Sequence, residues 1–582
     1  MAEMMNPAEG LRLRLARHSA GAISLAVVLA WVGRLHASEQ VTVMDPVFVE
    51  AASPSNHGSG RSWQYLALPG FEILSRCPDA FNDAYADALE RGALARQALL
   101  PEAFWGELAS PMKIILYNRP PDEREALRRN PIDLAWSSDD RAGSGGEQGL
   151  VSHPVTLGDG DTFINCGNYW DTQPSNGDVG VEVDSALRLR LHTPHYPAWF
   201  IEGVVGAHGV NEHRIVRSTP TGVLLLIPGA DWTASAGAQA LHGGTAAAGK
   251  DSHVPPIRAF LPLGVVFAGP RDDLGDLWSA EAALLVRWGL FHSGDRQGFL
   301  DFVAEASRTP VTEAVFRKHL HMGYPEAQRR LEDYLPAAMG ETLQVTIQGP
   351  SARPHDFRDA TPTEVARIVG DWGRLEGRSA DLMETDYKQE CLEQADRLFE
   401  RVVARKERDP EFLAAFGLYE IEAKDDLRAR RALEAATGAD VMRPRAYLEL
   451  ARLRLDMTLS DIQQGIGDVR AADYDDILKL LDTAREQMPA LAGTYYLYAR
   501  VFAHAPTQPD LNELRVLEDG MRLLPQESQL AYKAASLYAQ LGYRNEARAA
   551  AERALGFAES EHDRVLLRGL LDRVNPGSHA TK

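Results

Sequence analysis

Between Ala531 and Glu559, small residues and one tyrosine recur at offsets that suit a pair of helices. Ala535, Tyr538, Gly542, Ala547, Ala551 and Ala554 stand at successive separations of 3, 4, 5, 4 and 3. Steps of three and four keep to one helical face, so Ala535 and Tyr538 share a face, as do Ala547, Ala551 and Ala554. The step of five after Gly542 breaks the face and marks a turn. Helices joined this way fold back on each other, and their alanines let the backbones approach closely. Such a hairpin cannot bury its apolar face alone and needs neighbours of its own kind. Partial copies are present. Ile477, Leu481, Ala484 and Pro489 keep separations of 4, 3 and 5; Leu517, Gly520 and Pro525 keep 3 and 5; Ala429, Leu433 and Ala436 keep 4 and 3.

This pattern resembles the tetratricopeptide repeat. The resemblance implies an all-α solenoid over residues 379–575, with four or five degenerate repeats and an insertion near 457–474. Stacked helix pairs leave a concave groove able to hold a protein or peptide partner. The matching positions are core positions, so they identify a fold and not a ligand. On this reading Tyr495, Tyr496, Tyr498, Tyr532 and Tyr538 serve mainly in packing within the repeats.

The upstream half mixes periods. Trp63 to Ser75 alternates apolar and polar residues in two runs around Pro69-Gly70, which predicts a hairpin. Residues 79–100 have helical spacing, and Met112-Lys-Ile-Ile-Leu-Tyr-Asn118 reads as a buried strand. Residues 137–180 are rich in Gly, Asp and Ser and read as a long surface excursion with one strand at Thr162–Cys166. Leu343–Gly349 reads as a short strand within a linker, 341–378.

One stretch of this half carries chemistry. Tyr196-Pro-Ala-Trp-Phe-Ile-Glu-Gly-Val-Val-Gly-Ala207 resembles the Pro-x-Trp-x-x-Glu-Gly segment of gluzincin-type (peptidase-MA-like) metallopeptidases, through Pro197, Trp199, Glu202 and Gly203. The order "Phe-Glu-Ile-Leu-Ser, helix, Lys-Ile-Ile-Leu-Tyr" resembles the opening of the same domains. The resemblance implies a fold of a small sheet plus helices over residues 38–340, and makes Glu202 the counterpart of the third zinc ligand. The His-Glu-x-x-His helix that should precede it is missing. No histidine lies between His153 and His192, and the window reads Asp178-Val-Gly-Val-Glu-Val-Asp-Ser-Ala-Leu-Arg-Leu-Arg-Leu191. A hydrolytic zinc site needs three protein ligands and an open position for water. Without imidazoles on the helix expected at 181–191, Glu202 is a vestigial candidate only, and neither a metal nor another cofactor is expected. Glu182, Asp184 and Glu202 would make an all-oxygen set, better suited to calcium, magnesium or manganese. His192, His195, His208 and His213 are the remaining candidate ligands, in no established spacing. A glycan site using Trp199 or Trp170 is a further, weaker reading.

A formal charge of −21 over 582 residues argues against nucleic acid or anionic lipid as partner. At the N-terminus Arg12, Arg14 and Arg17 precede an apolar run, residues 20–33, of signal-peptide length. Residues 1–37 are therefore expected to be a signal peptide, cleaved near Ala37, or a retained anchor giving membrane association. Cys77, Cys166 and Cys391 form no disulfide framework; Cys77 and Cys166 could pair after export. Together these features predict an α+β protein, a gluzincin-like domain followed by a tetratricopeptide solenoid. The expected role is a non-catalytic scaffold of the periplasm or cell envelope. The alternative is a divergent zinc metallopeptidase that uses Glu202.

Overall fold

The hairpin predicted around Pro69-Gly70 forms between β1 (Gln64–Leu68) and β2 (Phe71–Ser75), with Gly70 taking the positive φ of 84° that the two-residue turn needs. The computed structural model describes residues 61–105, 110–118, 155–168, 196–208, 215–219, 222–227, 260–269, 275–340, 343–348, 355–379, 385–464, 471–524, 527–558 and 561–574. The expected N-terminal segment and the 181–191 helix lie outside the described residues. So do Trp170, Glu182, Asp184, His192, His195 and His213.

From β2 the chain crosses through α1 (Asp79–Leu99) to β3 (Met112–Tyr117), which lies parallel to β2, as a crossover of this length allows. β5 (Phe163–Asn168) adds in parallel to β3, and β4 (Val155–Gly158) closes that edge as an antiparallel partner of β5. The excursion expected to hold one strand thus holds a hairpin. Its Gly158-Asp-Gly-Asp-Thr162 turn, with Gly160 at φ 100°, is the signal that the one-strand reading overlooked. The six-stranded sheet runs β4-β5-β3-β2-β1-β9, where β9 is the short Arg358–Asp359. A second, antiparallel sheet joins β6 (Ile215–Thr219), β7 (Gly222–Ile227) and β8 (Leu343–Gln348), and α1 packs on its strands.

Strand alternation gives the large sheet two different faces. Leu66, Phe71, Ile73, Met112, Ile114 and Leu116 point into one apolar core. That core includes α2 (Ala198–His208) and the helices α3 (Leu263–Phe267), α4 (Gly275–Phe291), α5 (Arg296–Ala306), α6 (Glu313–Leu320) and α7 (Tyr324–Gly340). The opposite face carries Tyr65, Glu72, Leu74, Lys113 and Ile115, all buried. α2 and α4 touch through backbone. A Cβ on Gly203 would stand 2.4 Å from Val286 Cγ2, and one on Gly206 2.6 Å from Ala283 Cβ. The glycine after Glu202 is therefore required by helix packing, whatever becomes of the acid.

Glu281 on α4 is fully buried, and its Oε2 accepts the Leu261 N–H at 2.8 Å. Burial pushes its carboxyl up from 4.5 to about 7, partly offset by that N–H. Between those values the folded chain binds a proton that the unfolded chain does not, so stability falls as pH rises through the window. Glu281→Gln keeps the acceptor and removes the titration. The variant is expected to gain on the wild type by up to about 1.4 kcal/mol per pH unit across the window. Urea midpoints of both proteins, taken below and above it, measure this; a constant difference would refute the assignment.

The predicted solenoid begins earlier than expected, inside the 341–378 linker. α8 (Pro362–Val365), a wider π-type turn at Ala366–Gly370 and α9 (Asp371–Ser379) run on continuously and pack against α10 (Thr385–Val403). Two strands in the same stretch, β8 and β9, join sheets. Within the stretch expected as a linker, Arg358–Asp359 pairs with β1 at Gln64 and Tyr65, a strand that the polarity of the sequence conceals. Four more hairpins follow: α11 (Pro410–Glu422) with α12 (Asp426–Thr437), α13 (Pro444–Gln463) with α14 (Ala471–Glu486), α15 (Ala492–His504) with α16 (Arg515–Leu523), and α17 (Ser528–Gln540) with α18 (Arg544–Phe557). α19 (Glu561–Val574) closes the stack. Ala535, Tyr538, Ala547, Ala551 and Ala554 are buried between α17 and α18, and Gly542 makes their turn at φ 86°. The C-terminal half is thus a stack of tetratricopeptide-like hairpins, and the described residues are mostly helical, with one mixed and one antiparallel sheet. Among the described residues no helix is long and apolar enough to cross a membrane.

Candidate functional site

The first helices of three successive hairpins line a groove of about 480 Å³. α13 contributes Leu448, Glu449 and Arg452; α15 contributes Gly493, Tyr496, Leu497 and Arg500; α17 contributes Tyr532, Lys533 and Leu537. Their spacing explains the arrangement, because steps of three and four keep each set on one helical face. The five tyrosines expected to pack within repeats divide accordingly. Tyr495, Tyr498 and Tyr538 are buried, whereas Tyr496 and Tyr532 are half-buried on the groove wall. Small residues set this division: on α16 a Cβ at Gly520 would stand 2.4 Å from the Tyr495 ring.

Polar contacts hold the walls in place. Arg452 donates to Glu449 at 2.6 Å and pairs with Asp456, which also holds Arg500 at 2.7 Å. Lys533 Nζ lies 5.6 Å from the centre of the Tyr496 ring, and the Tyr496 hydroxyl donates to Glu527 at 2.8 Å. An apolar floor with fixed cations and aromatic rings at its rim can recognise an extended chain through side-chain and charge contacts.

At one end of this groove the sheet half meets the repeats. The β4–β5 turn brings Asp159 and Asp161 against α9, α13 and the start of α15, and all of these carboxylates are buried. Arg374 bridges Asp159 and Asp371, donating to the latter at 2.7 Å. Arg443 donates to Asp371 at 2.8 Å and stands 3.8 Å from both Asp159 and Asp161. Arg445 gives its backbone N–H to Asp161 at 2.7 Å and its Nε to the Asp159 carbonyl at 3.0 Å. Burial alone would raise the Asp159 and Asp371 carboxyls, but Arg374 and its neighbouring cations hold both below the ordinary range. Asp161 moves the other way: burial, and then the Asp159 charge, push it up to about 7. Further along the sheet, Glu72 pairs with Arg367 through both oxygens and accepts the Tyr65 hydroxyl at 2.6 Å. Lys113 lies fully buried in the next strand, with burial lowering its amine.

The metallopeptidase-type candidates fare differently. Glu202 is half-buried on α2 beside Gly203, and Trp199 is fully buried, away from any glycan-binding surface. The Trp199 glycan reading is therefore corrected: its indole belongs to the core. His208 ends α2. Among the described residues no three His, Cys, Asp or Glu side chains come together to hold a metal ion. Cys77, Cys166 and Cys391 are buried and carry no disulfide, so Cys77 and Cys166 do not pair. Burial pushes the Cys77 thiol up to about 12. Sequence reasoning overlooked the junction residues, since aspartates in a Gly-rich turn read as solvated.

No family model and no curated protein matches the chain. Solved structures similar to part of it include TTC0263, a tetratricopeptide protein of Thermus thermophilus, at 19% identity over 35% of this chain and 98% of that one, with a TM-score of 0.24. Another is Acl4, the assembly chaperone of RpL4, at 16% identity over 37% of this chain and 85% of that one, with a TM-score of 0.23. At these TM-scores neither likeness carries an argument, and the repeat assignment stands on the hairpin geometry.

Proposed function

We propose that this protein is a recruiting scaffold whose repeat groove binds a protein or peptide. The observation that carries the reading is the groove itself, with Tyr496, Tyr532, Arg500 and Lys533 displayed over an apolar floor. Concave faces of stacked helix pairs are extended binding surfaces. We read the sheet half as a gluzincin-like domain kept for structure, with Glu202 a vestige of its metal site. The absence of the His-Glu-x-x-His motif and the packing demand at Gly203 support this. Export, with attachment or cleavage at residues 20–33, is part of the same proposal and rests on the N-terminal sequence.

An array of overlapping peptides probed with the full chain tests the binding role. The double variant Tyr532→Ala with Arg500→Ala is expected to bind its best peptides about tenfold or more weakly. Unchanged binding by the variant would remove the groove from the account. Metal content of the purified protein, with peptidase assays before and after Glu202→Gln, tests the rest. Stoichiometric zinc with activity lost on substitution would establish a divergent metallopeptidase instead.

A further inference from the structure

The repeat stack touches the sheet half a second time, at its far end. Arg553 and Gly556 stand one turn apart on α18, and both meet the loop between α5 and α6. Arg553 donates to the Arg308 carbonyl at 3.4 Å. A Cβ on Gly556 would stand 3.1 Å from Pro310 Cγ and 4.0 Å from Pro310 Cβ. The loop is a firm support. Its Ser307 hydroxyl donates to the Ala304 carbonyl at 2.8 Å, its Thr309 hydroxyl donates to the Glu305 carbonyl at 3.1 Å, and Thr312 caps α6. Phe302 before it and Phe316 after it are fully buried in the core.

Both contacts fall on one edge of the stack. The helices of a hairpin run antiparallel, so the start of its first helix and the end of its second share an edge. Arg445, the second residue of α13, and Leu491, just before α15, meet the Asp159-Gly160-Asp161 tip on that edge. Gly556 is the last residue but one of α18. The hairpins from α13 to α18 are the three whose first helices line the groove. The sheet half therefore grips the groove-bearing hairpins at both ends of their run. Curvature of a solenoid is the sum of small rotations between neighbouring repeats, and two grips fix that sum.

The two grips are unequal. The tip is set among buried ion pairs, whereas α18 meets its support through a hydrogen bond at the surface and the Gly556–Pro310 contact. We infer that the α5–α6 loop is a strap that sets the width of the groove, and that α18 leaves it, with the tip as hinge, when the groove widens. Local opening starts where contacts are few and exposed, and at this edge that place is the strap. The glycine at 556 has a reason on this account. It is a poor helix former, and it lets Pro310 approach α18 where any side chain would lift the helix away. The inference concerns the width of the groove and holds for any ligand it takes.

Two measurements on the full chain test it. In Pro310→Cys with Gly556→Cys, the 4.0 Å between the two Cβ positions suits a disulfide. Mild oxidation should join them in most molecules, as read by mass spectrometry of the linked peptides, because the native thiols are buried. The second measurement is electron–electron double resonance. Spin labels at Arg329→Cys on α7 and Val565→Cys on α19, both exposed, report the gap across the strap. Labels at Arg329→Cys and Leu427→Cys report the hinge end, since α12 belongs to the hairpin that packs on α9. Adding Gly556→Trp with Arg553→Ala should broaden the first distance distribution about twofold or more and lengthen its mean. The second distribution should not change. Thermal melts establish that the wedged variant folds, and the disulfide does not depend on it. Failure of the disulfide to form would overturn the inference. So would a first distribution that the wedge leaves unchanged, or one already as broad without it. Equal broadening of both distributions would overturn it too, by moving the hinge away from the tip.

Discussion

Arg374→Met is expected to destabilise the folded chain by about 3–5 kcal/mol, the usual consequence of removing one partner from a buried ion pair. The guanidinium is 1% exposed and faces Asp159 and Asp371, whose carboxylates are equally inaccessible. Methionine keeps the aliphatic volume but leaves Asp371 with Arg443 at 2.8 Å, and Asp159 with Arg445 at 3.4 Å, as their nearest remaining cations. The alternative, protonation of one aspartate, would shift the variant's stability toward low pH. Adding Asp159→Asn should recover part of the loss, because the two positions share one network. Arg445 is half-buried, and Arg445→Met keeps its main-chain N–H on Asp161 while losing the Nε contacts to Asp159, so it should cost less, about 1–2 kcal/mol. Chemical denaturation followed by tryptophan fluorescence measures all three. A loss below about 1 kcal/mol for Arg374→Met would mean that the junction is hydrated in solution and that its charges are screened.

Trp199→Ala is the second large effect, expected at about 3–5 kcal/mol. The indole is fully buried, stacked on Phe302 with centroids 5.8 Å apart and edge-on to Phe267 at 5.0 Å. Phe299 and Phe200 complete its surroundings. Alanine would open a cavity between α2, α3 and α5 that these rigid rings cannot refill. Trp199→Phe should lose less, because it retains a ring against Phe302. Thermal melts of the two variants give the comparison. A near-neutral Trp199→Ala would show that the motif's tryptophan is not a packing residue, which would reopen its role at a ligand site.

The legible parts of this fold were those with local periodicity. The separations around Ala535 and Ala551 identified an α17–α18 hairpin because steps of three and four depend only on helix geometry. Pro69-Gly70 identified a turn for a similarly local reason. The β4–β5 hairpin was half seen, since four residues of Val155–Gly158 are too few to display alternation. The junction was illegible. Nothing in Gly158-Asp-Gly-Asp-Thr162 distinguishes a solvated loop from one clamped by Arg374, Arg443 and Arg445, whose positions lie far along the chain. Burial of those charges is a tertiary outcome. The groove shared that difficulty. Tyr495 and Tyr496 are adjacent in sequence, and tertiary packing separates them, the first against Gly520 in the core and the second on the groove wall.

Photo-crosslinking tests the recruiting role most directly. A benzophenone side chain placed at position 532, on the groove wall, is compared with one at position 427, exposed on α12 outside the groove. With the full chain expressed in its native cell, position 532 should yield a discrete adduct with a second polypeptide, and position 427 should not. Adducts of equal yield from both positions, or from 427 alone, would contradict the account.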